Sequence, residues 1–436
     1  MFTKKIFSPL CLVFSIFFLL YIIYKSQFYW QGSKNDYYQA YYIVSILLII
    51  CSIISFYFNS KIKEYLTISL LSIFFSLYCF DFYLIFKEQI IKDYKYKKLT
   101  GKKFDKRNTL EIYEDLKKIN SKITLTVPPE YYLKKEKGIY PLSGISNSET
   151  IYCNENGYHS IYKSDRYGFN NPDKEWDNEI INYLIVGDSF LHGACVNRPN
   201  DISSVLRKLS NKSVLNLGYG GNGPLTEYAT LREYFTPNVK NVLWIYYEGN
   251  DLINLNIELS NKILKNYIAN KNFSQNLKEK QSEIDELANK VLETEKKKEK
   301  VKLKKKRNTT IIKFIKLFHL RYSFKTKKIQ YNQPKPQPEF KKILSLAKEL
   351  ASKNNSKFFF IYLPEHTHIN PKYDDKNYHL VKGIVNDLSI PFIDIYDQVF
   401  KKEIDPYKVF SFGLNGHYNV YGYKKTAEII YNLINK

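Results

Sequence analysis

The stretch that decides the fold is an apolar run that ends in a glycine turn, Tyr183-Leu184-Ile185-Val186-Gly187-Asp188-Ser189-Phe190. The run predicts a buried strand, and the turn places Ser189 at its carboxyl end, where open α/β sheets bind ligands. A helix that begins here offers free N–H groups and a positive dipole end to a developing negative charge. An ordinary strand–turn–helix junction, with Ser189 or Asp188 as the N-cap, is an alternative interpretation of the same residues.

Strand and helix patterns alternate around this stretch. The predicted strands are short and apolar and cover Ile180–Val186, Ser213–Leu217, Asn241–Tyr247, Lys357–Leu363 and Pro391–Ile395. The predicted helices cover Asp201–Leu209, Leu225–Tyr234, Glu339–Lys353, Tyr378–Leu388 and Tyr421–Asn435. This alternation predicts an α/β fold with a parallel sheet and helices on both of its faces.

Polar groups follow these strands at the turns. The glycine-rich run Asn216–Pro224 lets the backbone approach a ligand and present its N–H groups. Asn250 follows the third strand, and His417 precedes the last helix. Together with Ser189 these residues supply a nucleophile, an oxyanion hole and a base, which are the parts of acyl transfer.

The ordered motifs resemble those of the SGNH (GDSL-like) esterase and acetyltransferase superfamily. They are Gly187-Asp188-Ser189-Phe190, the glycine-rich turn, Gly249-Asn250-Asp251 and Gly416-His417. The resemblance covers residues 180–435 apart from one insertion, and it implies a three-layer α/β/α parallel sheet of the flavodoxin-like kind.

The resemblance also implies roles for individual residues. Ser189 would be the nucleophile and His417 the general base. The N–H groups of Ser189 and Gly221 and the amide of Asn250 would form the oxyanion hole. We further expect the acids of two motifs to contact substrate, namely Asp188 and Asp251.

The chain departs from the family pattern at the acid that orients the catalytic histidine. The family usually has Asp two or three residues before the histidine, where this chain has Asn415 and Leu414. We therefore expect either Asn415 or a backbone carbonyl to hold the imidazole, since a wrongly held tautomer costs orders of magnitude in rate. Asp394 and Asp397 end a strand and are candidates for a displaced acid, but nothing in the sequence singles out either one.

Other polar residues carry weaker signals. Glu248 stands where many family members have glycine. His366 and His368 lack a third ligand at metal-site spacing, so we expect substrate contact or a plain loop there, and no metal or cofactor. His192 lies one helical turn beyond Ser189 and is interpreted as packing or a pocket wall.

Composition and hydropathy place the chain at a membrane. The 66 Lys+Arg against 43 Asp+Glu give a formal charge of +23, but no nucleic-acid-binding motif accompanies it, so we do not expect nucleic acid as a partner. Apolar runs between Lys5 and Lys25 and between Asp36 and Lys61 predict two transmembrane helices. A third, Tyr65–Phe86, is expected if Asp81 lies near the headgroups.

We divide the chain into three regions. The membrane region is 1–88, a basic juxtamembrane segment with a small β-rich lead-in is 89–178, and the hydrolase-like domain is 179–436, with a helical basic insertion at about 253–337. In the lead-in, Asn156-Gly157 predicts a hairpin turn. The insertion carries an apolar stripe beside basic residues, which predicts either packing on the domain or binding to an anionic membrane.

The lysines before the first apolar run and two of the cysteines indicate on which side of the membrane the hydrolase-like domain lies. Lys4 and Lys5 place the amino terminus in the cytoplasm, so three spans would export the catalytic domain from a bacterial inner membrane. In an exported domain Cys153 and Cys195 could pair, while unpaired thiols are the alternative.

These features predict a membrane-anchored serine esterase or O-acetyltransferase. It would act through an acyl-enzyme on O-acyl esters, expected to be acetyl, of a surface glycan or lipid-linked sugar. The alternative is a catalytically silent protein on the same fold that binds glycan or acts as a scaffold.

Overall fold

The computed structural model describes residues 2–32, 34–325 and 334–435. These residues form two compact units. The first comprises Met1–Lys87 and Thr309–Lys327, and the second comprises Glu88–Asn308 and Lys328–Lys436. Residues 326–333 of the predicted insertion lie outside the described residues.

Three long helices form the amino-terminal part: α1 (Phe2–Ile23), α2 (Asn35–Ile54) and α3 (Ser60–Thr100). A π-helical turn continues α1 over Tyr24–Tyr29. All three helices are long and apolar enough to cross a membrane, as the sequence predicted. The Ser15 and Ser52 hydroxyls lie 3.0 Å apart and join α1 to α2, which satisfies both polar groups inside an apolar helix pair.

The lead-in forms a small sheet of its own. It contains α4 (Thr109–Lys117) and the strands β1 (Ile123–Leu125), β2 (Glu149–Ile151) and β3 (Ile161–Lys163). Strands β2 and β3 pair antiparallel, as the hairpin prediction required. Strand β1 pairs parallel with β2.

The main sheet has five parallel strands: β4 (Ile181–Val186), β5 (Val214–Asn216), β6 (Val239–Tyr247), β7 (Lys357–Leu363) and β8 (Phe392–Asp394). Their order is β5-β4-β6-β7-β8, that is 2-1-3-4-5 in chain order. The predicted α/β class with a parallel sheet is therefore confirmed. In such a sheet the chain changes direction at the first strand, so ligands are expected beside the carboxyl ends of β4 and β6.

Helices cover both faces of this sheet. The helices that follow β4 in the chain are α5 (Ser189–His192), α6 (Ile202–Ser210), α7 (Pro224–Tyr234), α8 (Asp251–Glu258), α9 (Lys262–Ala269), α10 (Gln281–Ile315), α11 (Phe318–Lys325), α12 (Pro338–Lys353), α13 (Lys376–Asp387), α14 (Ile395–Gln398) and α15 (Val420–Ile434), of which α11 belongs to the first compact unit and not to the unit of the sheet. Leu184 and Val186 of β4 belong to the core that α7 and α12 cover. Tyr183 and Ile185 alternate with them and belong to the core under α6 and α15.

The insertion contributes α8 to α11, and its last part belongs to the unit of the membrane helices. Of the apolar stripe, the Phe314 ring lies 5.2 Å from the Tyr78 ring of α3. Asp81 of α3 is fully buried, and its Oδ1 accepts the backbone N–H of Leu320 at 2.7 Å. The backbone N–H in the first turn of α11 thus offsets part of the cost of burying this carboxylate within the third apolar helix.

Candidate active site

The nucleophile candidate sits at the junction of β4 and α5. Ser189 is the first residue of α5, and Asp188 caps that helix by accepting the Phe190 N–H at 2.8 Å. The Phe190 ring stacks on Tyr247 of the neighbouring strand β6, with 3.9 Å between ring centroids. The turn is therefore anchored from both sides, and Ser189 lies at the switch point of the sheet.

Ser189, His417 and Glu155 form a hydrogen-bonded triad. The Nε2 of His417 lies 2.9 Å from Oγ of Ser189. Its Nδ1 lies 2.9 Å from Oε1 of Glu155, and Oε2 of the same carboxylate accepts the backbone N–H of His417 at 2.7 Å. The two-point contact fixes both the ring orientation and the tautomer in which Nδ1 carries the proton.

The partner of the imidazole differs from the one that the sequence suggested. It is Glu155 of the lead-in, between β2 and β3, and neither Asn415 nor a backbone carbonyl. The other candidate acids are engaged elsewhere. Asp394 accepts the Tyr378 hydroxyl at 2.6 Å, and Asp397 pairs with Lys401 at 2.6 Å.

The electrostatics of the pair suit a general base. Burial alone would lower the pKa of His417, but the hydrogen bond to Glu155 and the charges of Glu155 and Asp188 outweigh it and raise that pKa above its ordinary 6.5. Burial likewise opposes ionisation of Glu155, yet the hydrogen bond to His417 and its charge hold the pKa of Glu155 below its usual value. The site therefore stabilises the imidazolium that a proton transfer from Ser189 would create.

The glycine-rich turn contains a left-handed residue and is hydrogen-bonded to His192. Gly221 has φ +85°, a left-handed conformation that glycine adopts without strain. The neighbouring Gly220 donates its N–H to Nδ1 of His192 at 3.1 Å. Burial lowers the pKa of His192 to about 3, so this imidazole is neutral and can accept the bond. His192 thus positions the turn.

Asn250 lies at the start of α8, directly after β6 and its turn. Its side chain makes no capping hydrogen bond to that helix. The Asn250 amide, the turn at Gly221 and the amino end of α5 are donor types that can stabilise an oxyanion.

Asp188 and Asp251, the acids expected to contact substrate, stabilise their own turns. Both are fully buried. Asp188 accepts the Phe190 N–H, and its Oδ2 lies 3.2 Å from Oγ of Ser189, while Asp251 accepts the Tyr247 N–H at 2.9 Å. Burial raises the pKa of both carboxyls. Within hydrogen-bond reach of Ser189, Asp188 still contributes its charge to the site.

Glu248, which stands where many members of the resembled family have glycine, is the centre of a buried hydrogen-bond network. Its two oxygens lie 2.9 and 2.7 Å from Nδ1 of His368, and it also accepts the Tyr373 hydroxyl and the Glu365 N–H. His368 is thereby committed to a buried pair, and His366 lies 3.3 Å from the carbonyl oxygen of Gly413. The network ties the end of β6 to the segment that follows β7.

A disulfide joins Cys153 to Cys195 beside the triad. In the described part of the chain, Glu155, Cys195 and His417 are a group whose ligand atoms lie within 4.8 Å of one another. Because the Cys195 sulfur is bonded to Cys153, it does not offer a thiolate to a metal ion. The arrangement fits a serine triad better than a metal centre.

The comparisons with known proteins include a distant structural neighbour. No family model matches the sequence, and no curated protein matches it. A solved structure described as that of a lipolytic protein of the G-D-S-L family from Desulfitobacterium hafniense DCB-2 is similar at 12% identity and a TM-score of 0.32. The match covers 58% of this chain and 98% of the other. At that TM-score the match carries no argument, so the assignment below rests on the geometry of the site.

Sequence reasoning missed Glu155 because it searched near His417 and among the later strands. The pattern of the lead-in predicts a small β-rich region and points to no catalytic residue there. One signal could have found the acid: Glu155 lies two residues after Cys153, and Cys195 lies six residues after Ser189. Pairing these cysteines would have placed the two segments side by side.

Proposed function

We propose that this protein is a membrane-anchored serine esterase or O-acyltransferase of the SGNH kind. The observation that carries the proposal is the unbroken chain of hydrogen bonds from Ser189 through His417 to Glu155. A nucleophile, a base held in one tautomer and an orienting carboxylate are the requirements for covalent acyl transfer.

The reaction would proceed through an acyl-enzyme. His417 Nε2 takes the proton of Ser189 as Oγ attacks the ester carbonyl carbon, and the imidazolium then gives that proton to the departing alcohol oxygen. The N–H groups of Ser189 and Gly221 and the amide of Asn250 would stabilise the tetrahedral oxyanion. Water or an acceptor hydroxyl, deprotonated by His417, then attacks the acyl-enzyme and releases Ser189.

A short acyl group is the proposed substrate, acetyl in particular. A cavity of about 20 Å³ adjoins Gly221, and its lining combines Leu133, Tyr140 and Ile257 with the polar residues Glu130, Asn254 and Glu258. A volume of this size accommodates about one water molecule, so a methyl group fits and a long chain does not. That the ester belongs to a surface glycan or a lipid-linked sugar is proposed from the likeness of the anchors to tethered family members.

We place the catalytic unit outside the cytoplasm, tethered to the bacterial inner membrane. Two observations support this location. The three apolar helices are of membrane-spanning length, and the Cys153–Cys195 bond is of a kind that persists in oxidising compartments.

The test uses the full-length protein in detergent. Wild type, Ser189→Ala and the exposed-serine control Ser260→Ala are compared for labelling by a fluorophosphonate and for acetate release from an aryl acetate. We expect labelling and turnover in wild type and Ser260→Ala, and neither in Ser189→Ala. Aryl butyrate and octanoate should be turned over progressively more slowly than acetate.

The outcomes separate the proposal from its alternative. Labelling without turnover would indicate a transferase that awaits its acceptor alcohol. No labelling of a folded protein would favour the catalytically silent glycan-binding or scaffold protein, for which a hydrogen-bonded triad has no role.

A further inference from the structure

The loop that carries Glu155 is tied on both sides to the segments that carry the rest of the triad. Cys153, two residues before Glu155, is disulfide-bonded to Cys195, which follows α5. Asn156, directly after Glu155, donates its Nδ2 to the carbonyl oxygen of Cys195 at 2.9 Å. Its Oδ1 accepts the hydroxyl of Ser411, in the segment that leads to the base, at 2.8 Å.

The disulfide lies directly beside the acid–base pair. The sulfur of Cys195, a carboxylate oxygen of Glu155 and a ring nitrogen of His417 lie within 4.8 Å of one another, and Cys195 is fully buried. Since Glu155 comes from the lead-in, no strand of the parallel sheet fixes its position. The disulfide is the covalent link between its loop and the nucleophile segment.

We propose that the Cys153–Cys195 disulfide positions the triad acid, so that the protein is fully active only when oxidised. This inference rests on the function proposed for Ser189 and His417. Reduction by a dithiol adds two electrons and two protons to the disulfide, forms two thiols and converts the dithiol to its own disulfide. The freed loop then no longer holds Glu155 at Nδ1 of His417, and acyl transfer is confined to oxidising compartments.

The first test is a double-mutant cycle on the full-length protein in detergent. Ester turnover is measured for wild type, Glu155→Gln, Cys153→Ser/Cys195→Ser and the combined variant. EDTA is present throughout, so that no metal ion binds the group once it is freed. We expect Glu155→Gln to cost ~10²–10⁴-fold with the disulfide and less than about threefold without it. An equal cost in both backgrounds would overturn the inference.

The second test does not depend on turnover. The pKa of the His417 imidazole is titrated by NMR on histidine-labelled Ser189→Ala protein, oxidised, reduced with dithiothreitol and reoxidised. We expect the pKa to fall on reduction and to recover on reoxidation, because the carboxylate partner is lost and regained. Cys79→Ser, which removes a free cysteine, is the control and should leave this response unchanged.

The two tests separate the two proposals. A pKa of His417 that does not move on reduction would overturn the positioning role, whatever the turnover assays show. A pKa that moves in a protein without Ser189-dependent turnover would refute the proposed function and leave the positioning role in place. If the Cys153→Ser/Cys195→Ser variants fold poorly, reversible reduction of the native cysteines still tests the inference.

Discussion

At the residue scale, the acid is the position that distinguishes this site. Replacing Glu155 by Gln keeps the shape but removes the charge and allows the wrong tautomer of His417. We expect kcat to fall by ~10²–10⁴-fold, as for other triads that lose their carboxylate. Asn415→Ala is the matched control and should retain turnover within about threefold of wild type. Equal losses in the two variants would assign the orienting role to Asn415 after all.

The same residue sets the pH dependence. His417 must be neutral to accept the proton of Ser189, so kcat/KM falls as the pH falls through the pKa of the imidazole. Because Glu155 and Asp188 raise that pKa, the midpoint of the acid limb should lie above pH 6.5 in wild type. In Glu155→Gln the midpoint should move to lower pH. Burial lowers the pKa of His417, and the variant removes the carboxylate charge that opposes this effect. A pH–rate profile of each protein measures both midpoints, and an unchanged midpoint would contradict the assignment.

At the scale of elements, Glu258 of α8 supports the start of α7. This buried carboxylate accepts the N–H groups of Gly223, Leu225 and Thr226 at 2.6, 3.0 and 3.3 Å. Glu258→Gln places an NH₂ group against these donors. We expect the free energy of unfolding to fall by about 1–3 kcal/mol, measured by urea denaturation. The exposed Glu279→Gln serves as the control and should change it by less than about 0.5 kcal/mol.

Periodicity and turn residues predicted the main sheet well because local pattern determines those elements. The strand Lys357–Leu363 was predicted at its observed bounds, and the other strands differ by one to two residues at their ends. The lead-in was harder, since β1 pairs with a strand more than twenty residues away and only that pairing makes it a strand. Glu155 was not predicted for the same reason, because its role depends on a contact with His417, which lies 262 residues away in the sequence.

At the scale of the whole molecule, the side of the membrane that we propose for the catalytic unit would be set by the number of spans. With Lys4 and Lys5 in the cytoplasm, three spans place the carboxyl terminus outside. The lysines that follow α3's apolar part oppose this orientation, but large domains translocate largely regardless of charge. We therefore expect alkaline phosphatase fused after residue 436 to be active in cells, and a green fluorescent protein fusion there to be dark.

Truncation supplies the control for this orientation, because fusions after residue 59 follow only two spans and should show the reverse pattern. The disulfide gives an independent measure on the unfused protein. Alkylation of cells before lysis should find Cys153 and Cys195 oxidised and the free cysteines of the membrane helices reactive after denaturation. A fluorescent fusion at residue 436 together with reduced Cys153 and Cys195 would place the catalytic unit in the cytoplasm. There the disulfide would not persist, and the triad acid would lose the link that holds its loop to the nucleophile.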